Sequence, residues 1–424
     1  MNPVDLRLLP DTSAVSPDGS LSIGGCSVVD LAAQYGTPLF VYDEAHLRAR
    51  CREAVDTFGH GRAVYATKAF LCGAMARLAH EEGMLLDVAS GGELFVALHA
   101  GVPADSLTVH GNNKSLAELR MALTAGVRHI VVDSFDELDR LDALHAEGLP
   151  VPKVLARITP GVHAHTHEFI ATGQDDSKFG FNLGNGDAHR AIDRMRRSPS
   201  VQLEGVHCHI GSNVFEASNF AKAAEVMASF AIPLDLPELV LGGGLGVAYV
   251  EGEEAPTITQ WGNVLLDACE ALGVRSSVSV EPGRSIVASA AITVYEVGTV
   301  KQIPGVRTYV SVDGGMSDNP RPVLYGSGYE AFLPRDVRAG RPSRARLVGK
   351  HCESGDVLIF DAALPADLRV GDLLATPVTG AYGHSMASNY NKLTRPPVVF
   401  VRDGEHRLVV RRETYEDLVS CDVD

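Results

Sequence analysis

Cysteine is scarce in this sequence, and no two cysteines form a CxxC pair. The chain has seven widely scattered cysteines among 424 residues, so neither a disulfide framework nor a zinc ribbon is indicated. No apolar run approaches the roughly 20 residues that span a bilayer. The opening residues, MNPVDLRLLPDTSAV, lack the basic start and apolar core of a signal peptide. We therefore expect a cytoplasmic protein that has no membrane partner.

Positive charge is also in short supply. The chain has 37 Lys and Arg against 53 Asp and Glu, a formal net charge of -16. Nucleic acid is therefore not an expected partner, because phosphate contacts need concentrated Lys and Arg. Internal repeats and low-complexity segments are absent as well. Glycine, in contrast, is abundant at 42 residues, and it clusters where predicted strands end, which suggests backbone approaching a ligand.

From about residue 60 to 285, short β-branched apolar runs alternate with helical patterns, as is typical of a parallel α/β sheet. The predicted strands are AVYATKA, LLDVAS, SLTVHG, HIVVDS, KVLARITP, LEGVHCHIG, ELVLGGGLG and SVSVEPGR. Helical stretches such as SLAELRMALTAG separate them and end at glycine. This number of units predicts a (β/α)8 TIM-type barrel. An open doubly wound sheet is the alternative, but no GxGxxG follows the first strand.

The pattern changes after Val287. Short alternating strands such as ITVYEVGTV, RTYVSVDGG and HRLVVRR are separated by Gly, Pro and Asp turns, which is typical of a mostly antiparallel sheet. The sequence therefore predicts an α/β protein with a barrel over residues 36–288. Residues 1–35 and 289–424 form the second, β domain, which is expected to contribute substrate and dimer contacts.

Reactive side chains fall repeatedly at or just beyond the carboxyl ends of the predicted barrel strands. In a barrel those ends converge on one mouth, where catalytic groups gather. The residues placed there are Lys68, Ser90, His110, His209, Gly244, Glu281 and Arg284. A lysine in this position can form an imine with an aldehyde cofactor, although a solvated lysine at a strand end is the simpler alternative.

Two adjacent motifs indicate an anion site. The LGGGLG stretch (residues 241–246) can present bare backbone N–H groups to a phosphate, or it can simply be a tight turn. The EPGR motif follows the next strand, where Glu281 could face a pyridine nitrogen and Arg284 could bind a phosphate or a carboxylate.

His207 and His209 face the same side of one strand and could bind a metal. No carboxylate or third histidine is spaced with them in the sequence. We therefore predict no metal, and favour an imidazole stacked on an aromatic cofactor. The HAHTHE string (residues 163–168) is interpreted as part of a long loop that forms a lid over the mouth.

Three polar motifs occur in the predicted second domain. DGGMSDNPRPVLYG brings Arg321 and Tyr325 close together, and TGAYGHSMASNYN offers Tyr382. KHCESGD places Cys352 beside Glu353. Each could be ordinary surface polarity, but a free cysteine next to an acid suggests a proton donor.

These motifs together resemble the diaminopimelate decarboxylases, a barrel-fold, alanine-racemase-like family of pyridoxal-phosphate enzymes. The resemblance runs from about residue 38 to the end. HGNNKS, DGGMSDNPRP and CESGD are its most selective motifs, whereas the other blocks are shared with ornithine-type relatives. His384, after AYG, stands where an aromatic residue is expected.

The resemblance implies a role for each matching residue. Lys68 carries pyridoxal 5'-phosphate as a Schiff base and Cys352 protonates the carbanion. His209 stacks on the ring and Glu281 holds its nitrogen. The predicted phosphate-binding residues are Ser212, Gly244, Gly283, Arg284 and Tyr382, and the predicted substrate-binding residues are Arg284, Arg321, Tyr325, Glu353 and Tyr382.

The implied reaction is decarboxylation of meso-diaminopimelate to L-lysine and CO₂ by a homodimer with shared active sites. A decarboxylase of the same fold for another amino acid, such as D-ornithine or carboxynorspermidine, is the main alternative. A racemase of this fold is less favoured, because it would need a tyrosine base from the second domain on the other face of the cofactor. A non-catalytic pyridoxal-phosphate carrier is also less favoured, because such proteins are single barrels that lack a second domain with the CESGD motif.

Overall fold

The computed structural model describes residues 2–161, 176–209 and 211–423. It divides into two compact units. The barrel unit comprises residues 50–246 and 255–285, and the β unit comprises residues 1–49, 247–254 and 286–424. None of the described helices is long and apolar enough to cross a membrane.

The described strands are β1 (Ala14–Val15), β2 (Leu21–Ile23), β3 (Cys26–Ser27), β4 (Leu39–Asp43), β5 (Val64–Ala66), β6 (Leu85–Val88), β7 (Leu107–Val109), β8 (His129–Val132), β9 (Lys153–Thr159), β10 (Phe181–Asn182), β11 (Gln202–His207), β12 (Glu238–Val240), β13 (Ser277–Ser279), β14 (Ala291–Ile303), β15 (Arg307–Val312), β16 (Ser343–Val348), β17 (Val357–Leu364), β18 (Leu373–Pro377), β19 (Val398–Arg402) and β20 (Glu405–Val410).

The described α-helices are α1 (Val28–Tyr35), α2 (Glu44–Phe58), α3 (Gly73–Glu81), α4 (Gly91–His99), α5 (Leu116–Ala125), α6 (Phe135–Ala146), α7 (Asp187–Arg197), α8 (Ala217–Ala231), α9 (Ile258–Ala271), α10 (Arg284–Val287), α11 (Arg321–Tyr325) and α12 (Tyr415–Val419).

The barrel unit is built on a parallel sheet in the order β13-β12-β11-β9-β8-β7-β6-β5, with β10 added beside β9. A parallel bridge between Ala63 and Val280 joins the two ends of this sheet. The Val64 N–H donates to the Val280 carbonyl at 2.9 Å across the same seam. The sheet therefore closes into a barrel, and the predicted fold class is confirmed.

Three successive strand-to-helix loops share one sequence pattern, a serine followed three residues later by glutamate. Each serine caps its helix by accepting a hydrogen bond from the backbone N–H of that glutamate, which satisfies a donor that the first helical turn leaves free. The capped helices are α4, α5 and α6, and the pairs are Ser90 with Glu93, Ser115 with Glu118 and Ser134 with Glu137. These caps fix the loops at the carboxyl ends of β6, β7 and β8.

The β unit contains a mostly antiparallel sheet in the order β17-β16-β15-β14-β4-β19-β20, with β18 also paired to β14. Strand β4 lies antiparallel to β14 and parallel to β19. The small sheet β1-β2-β3 belongs to the same unit. Its Leu21 and Ile23 pack into one core with Val41 of β4 and Ile292 of β14.

Two features of the β unit differ from the sequence prediction. Residues 36–49 and 247–254 belong to this unit, although the predicted range 36–288 assigned them to the barrel. Strand β4 is buried along its whole length, so its apolar run was compatible with either sheet. Strand β18 was not predicted, because its short LLATP run lies between turns.

Candidate active site

Lys68 lies at the carboxyl end of β5, in the short turn Thr67–Ala69. Its ammonium nitrogen is 3.3 Å from Oδ2 of Asp87 on β6, and the lysine side chain is 42% exposed, whereas that of Asp87 is fully buried. The amine therefore stands at the barrel mouth against a buried carboxylate. Sequence reasoning missed Asp87, although it begins the DVASGGEL motif.

Glu281 is buried between two histidines that come from other strands. Its Oε1 lies 2.9 Å from Nε2 of His110, and its Oε2 lies 2.9 Å from Nε2 of His207. Burial raises the pKa of this carboxyl, but His110 and His207 outweigh burial and hold it well below the usual value. Burial lowers the pKa of His207, and the neighbouring Glu281 opposes that shift.

No carboxylate or third histidine is spaced with His207 and His209 in the sequence, but the fold brings Glu281 and His110 next to His207. The two partners are distant in the chain, and only closure of the barrel brings them together. Ligand atoms of His110, His207 and Glu281 all lie within 4.8 Å of one another, a grouping compatible with a metal site.

His209 follows β11 and is half-buried. Burial and then the charge of Lys68 lower its pKa well below the usual value. The Gly243 N–H donates a hydrogen bond to His209 Nδ1 at 3.3 Å. The glycine-rich loop after β12 therefore fixes the orientation of this ring.

The predicted phosphate-binding residues of the barrel unit meet where two loops approach closely. Arg284 Nη2 donates to Ser212 Oγ at 3.0 Å, and Arg284 is buried. Gly244 has a φ of +111°, and a Cβ there would collide with the Gly211 carbonyl. A Cβ on Gly283 would lie 2.9 Å from that of Ala66. These glycines allow a guanidinium, a hydroxyl and bare backbone to gather, which is a set of anion-binding groups.

In the β unit, Arg321 is buried and is surrounded by tyrosines. Its Nη1 donates to the Tyr329 hydroxyl at 2.5 Å, and its guanidinium carbon lies 4.1 Å from the ring centre of Tyr249. Burial opposes the charge of Arg321, but these two tyrosines raise its pKa overall. Sequence reasoning had paired Arg321 with Tyr325, which is half-buried at the end of α11. It missed Tyr329 and Tyr249.

Cys352 and Glu353 are exposed on the loop between β16 and β17. The Cys352 N–H donates to Asn391 Oδ1 at 2.9 Å. The preceding residue, His351, is buried and lies 2.8 Å from Oδ2 of Asp356. The thiol is therefore presented to the surface by a loop with a rigid, buried base.

Tyr382 is half-buried and has a φ of +58°, a left-handed conformation that is uncommon for a large side chain. His384, the departure from the expected family pattern, packs edge-on against Phe40 with ring centres 5.8 Å apart. Burial lowers the pKa of His384 to about 4. It therefore serves as a neutral, half-buried aromatic ring that packs within the β unit. The HAHTHE string lies outside the described residues.

A buried ion pair that was not predicted from the sequence supports the loop after β7. Lys114 Nζ lies 2.8 Å from Oε1 of Glu137, and both side chains are buried. The same amine donates to the carbonyls of Gly111 and Val131 at 2.7 Å. Burial lowers the pKa of Lys114 and raises that of Glu137, because burying either charge costs free energy. The hydrogen bonds to Lys114 offset part of that cost.

Replacing Lys114 with methionine is expected to lower the free energy of unfolding by about 3–5 kcal/mol, because it leaves a buried carboxylate without its partner. Equilibrium urea unfolding would measure the loss. The double variant Lys114→Met/Glu137→Leu removes both charges and should regain most of the stability. A single variant as stable as the parent would contradict this role for the pair.

The motif resemblance is confirmed by similarity to known proteins. A family model described as pyridoxal-dependent decarboxylase, pyridoxal binding domain, matches residues 44–288. The diaminopimelate decarboxylase of Mycobacterium bovis is 48% identical over 425 residues, covering 96% of this chain and 95% of the relative. That of Bacillus subtilis is 47% identical over 432 residues, covering 98% of each chain.

Similarity to solved structures supports the same family. The diaminopimelate decarboxylase of M. jannaschii in complex with L-lysine has a TM-score of 0.90 at 33% identity, with 98% of each chain covered. A lysine/ornithine decarboxylase from Vibrio vulnificus, at 24% identity and a TM-score of 0.75, shares the fold. Because similarity to the first group extends over nearly the whole sequence, the chain belongs to the diaminopimelate decarboxylase family of pyridoxal-dependent decarboxylases.

Proposed function

We propose that this protein decarboxylates meso-diaminopimelate to L-lysine and CO₂ with pyridoxal 5'-phosphate as cofactor. The observation that carries the proposal is the set of groups at the carboxyl ends of the barrel strands in a chain of this family. An amine, a buried ionised carboxylate, a neutral imidazole and an anion-binding corner lie there together, at Lys68, Glu281, His209 and Arg284.

The chemistry of this donor set fits pyridoxal phosphate. Ser212, Arg284 and the backbone at Gly244 and Gly283 would hold the phosphate, together with Tyr382 from the β unit. Glu281 would accept a hydrogen bond from the ring nitrogen, and His209 would stack on the ring. When bound, the cofactor supplies an electron sink for the pair left on the α carbon as CO₂ departs.

The protein's own groups prepare this step. The ionised carboxylate of Glu281 favours a proton on the ring nitrogen, since an opposite charge stabilises the charged form of its neighbour. Asp87, 3.3 Å from the Lys68 amine, orients that amine at the mouth and can exchange a proton with it. The Cys352 thiol returns a proton to the α carbon, and its thiolate regains one from solvent.

Substrate selection falls to the β unit in this proposal. Arg321 offers a buried cation to the distal carboxylate, with Tyr325, Glu353, Tyr382 and Arg284 as further contacts. A substrate lacking that carboxylate would leave buried polar groups unpaired, which is a strong basis for rejection. Because Cys352 and Glu353 are exposed on their own chain, we propose that the active protein is a homodimer in which they serve the neighbouring barrel. We also propose that the protein is cytoplasmic.

A CO₂-release assay on the holoenzyme tests the activity. We expect release from meso-diaminopimelate, with the LL and DD isomers, L-lysine and D-ornithine as comparisons. Preference for D-ornithine would assign the protein to another decarboxylase of this fold. No release from any of these amino acids by a cofactor-loaded protein would reject the proposed function.

Replacing Arg321 with lysine is expected to raise KM for meso-diaminopimelate about tenfold to a hundredfold, since hydrogen bonds to charged groups are worth about 1.5–3 kcal/mol. Lysine keeps the charge but loses the planar fork that binds a carboxylate through two nitrogens. Steady-state kinetics would measure the change. Arg341 is a matched control, because it is a buried arginine of the same unit that is paired with Glu330. Its replacement by lysine should leave KM unchanged.

A further inference from the structure

Two histidines, His110 and His207, contact the Glu281 carboxylate, which faces the proposed cofactor ring. We infer that His110 and His207 are positioning residues that keep Glu281 ionised and fix the plane of its carboxylate. The inference rests on the proposed function and deepens it, because it assigns the charge on the ring nitrogen to a three-residue unit rather than to Glu281 alone.

The geometry assigns one histidine to each oxygen. His207 Nε2 makes a hydrogen bond of 2.9 Å to Oε2. His110 Nε2 is equally close to Oε1, but this contact does not have hydrogen-bond geometry. The two imidazole rings also meet edge-on, with centres 5.0 Å apart. Glu281 therefore cannot rotate without losing both contacts.

The location of the proton on His207 explains how this histidine affects Glu281. His207 is fully buried, burial lowers its pKa, and its Nδ1 has no hydrogen-bond partner in the described part of the chain. Nε2 must therefore carry the proton, because an ionised carboxylate can only accept. Without these donors, burial would favour the protonated form of Glu281. A proton shared with a pyridine nitrogen would then move onto the carboxylate.

A metal ion is the competing interpretation of the same three residues. The observed distance from each imidazole nitrogen to its carboxylate oxygen is that of a hydrogen bond, and each nitrogen faces a different oxygen. Tetrahedral zinc ligands, each about 2.0–2.2 Å from one shared centre, would lie roughly 3.3–3.6 Å from one another, which is farther apart than the 2.9 Å of both contacts. The arrangement therefore favours a proton-mediated unit, and metal content becomes an outcome of the test.

The test replaces His207 with leucine, which is similar in size and cannot donate, and with glutamine, which can. The holoenzymes are loaded with pyridoxal phosphate that is isotopically labelled at the ring nitrogen, and the NMR chemical shift of that nitrogen is measured. We expect a protonated nitrogen in the parent and in His207→Gln. In His207→Leu the shift should move toward that of neutral pyridine.

Two further measurements accompany the shift. The affinity of the cofactor-free protein for pyridoxal phosphate should fall about tenfold to a hundredfold in His207→Leu, the usual worth of a hydrogen bond to a charged group. kcat should fall by a similar factor while KM changes little. The His110→Leu variant should show changes in the same direction, because His110 also holds the pKa of Glu281 below its usual value.

His129 provides the matched control. It is another buried barrel histidine, with Nε2 3.0 Å from Oε2 of Glu204, but it begins β8 and so lies at the amino end of its strand. His129→Leu should cost stability without moving the nitrogen shift. That comparison separates loss of packing from loss of a donor to Glu281.

Each outcome bears on one idea. A protonated ring nitrogen in both His207→Leu and His110→Leu would overturn the inference, even if the parent decarboxylates diaminopimelate. One equivalent of tightly bound metal in the purified parent, lost in His207→Leu, would also overturn it in favour of a metal site. If the nitrogen shift moves as expected but the parent releases no CO₂ from any amino acid tested, the inference stands and the proposed function fails.

Discussion

Replacing Lys68 with alanine is expected to abolish covalent cofactor attachment and to lower kcat at least about a thousandfold, a barrier increase of about 4 kcal/mol. The reason is local. Lys68 pairs a reachable amine with the buried carboxylate of Asp87 at the barrel mouth. The measurement is borohydride reduction of the holoenzyme followed by peptide mapping of the labelled lysine, alongside the CO₂ assay.

Lys153 is the matched control for this experiment. It also contacts a carboxylate, at 2.9 Å from Oε1 of Glu204, but it begins β9 and lies at the other end of the barrel. Lys153→Ala should label and turn over like the parent. Reductive labelling at Lys153, Lys114 or any other lysine in place of Lys68 would contradict the assignment.

The barrel was predictable because its signals are local. The barrel strands are short and mostly buried runs, and the loops after β6, β7 and β8 contain helix caps with the pattern Ser-x-x-Glu. The sheet that β4 joins was not predictable, because its residues are all buried and an apolar run does not specify its partner. Strand β18 was not predicted for a related reason, because its LLATP run shows no alternation of apolar and polar residues.

The same distinction explains the site. Lys68, His209, Glu281 and Arg284 were found because each follows a strand whose end can be read from the sequence. The contacts between side chains were not found, because they join distant segments: His110 to Glu281, or Arg321 to Tyr249. No local pattern shows that two histidines will meet Glu281, yet these histidines hold its pKa well below the usual value.

Mixing two inactive variants should restore activity if the active sites are shared between subunits. Cys352 and Glu353 are exposed on a loop of the β unit, whereas Lys68 lies at the mouth of the barrel. In the proposed homodimer, Cys352 of one subunit serves the barrel of the other. Lys68→Ala and Cys352→Ala proteins should then each be nearly inactive alone, for independent reasons.

A hybrid dimer would hold one site with both defects and one site with neither. Random pairing of equal amounts makes about half of the dimers hybrid, so about one quarter of the sites become intact when a symmetric interface uses the same patch twice. CO₂ release should therefore rise from near zero toward about one quarter of the parent value, in step with subunit exchange followed by mass spectrometry. A mixture of Lys68→Ala with Lys68→Ala/Cys352→Ala, exchanged in the same way, should stay inactive because every barrel in it lacks Lys68. If exchange is complete and the first mixture also stays inactive, Lys68 and Cys352 serve the same subunit's site, and the shared site is rejected while the decarboxylase assignment stands.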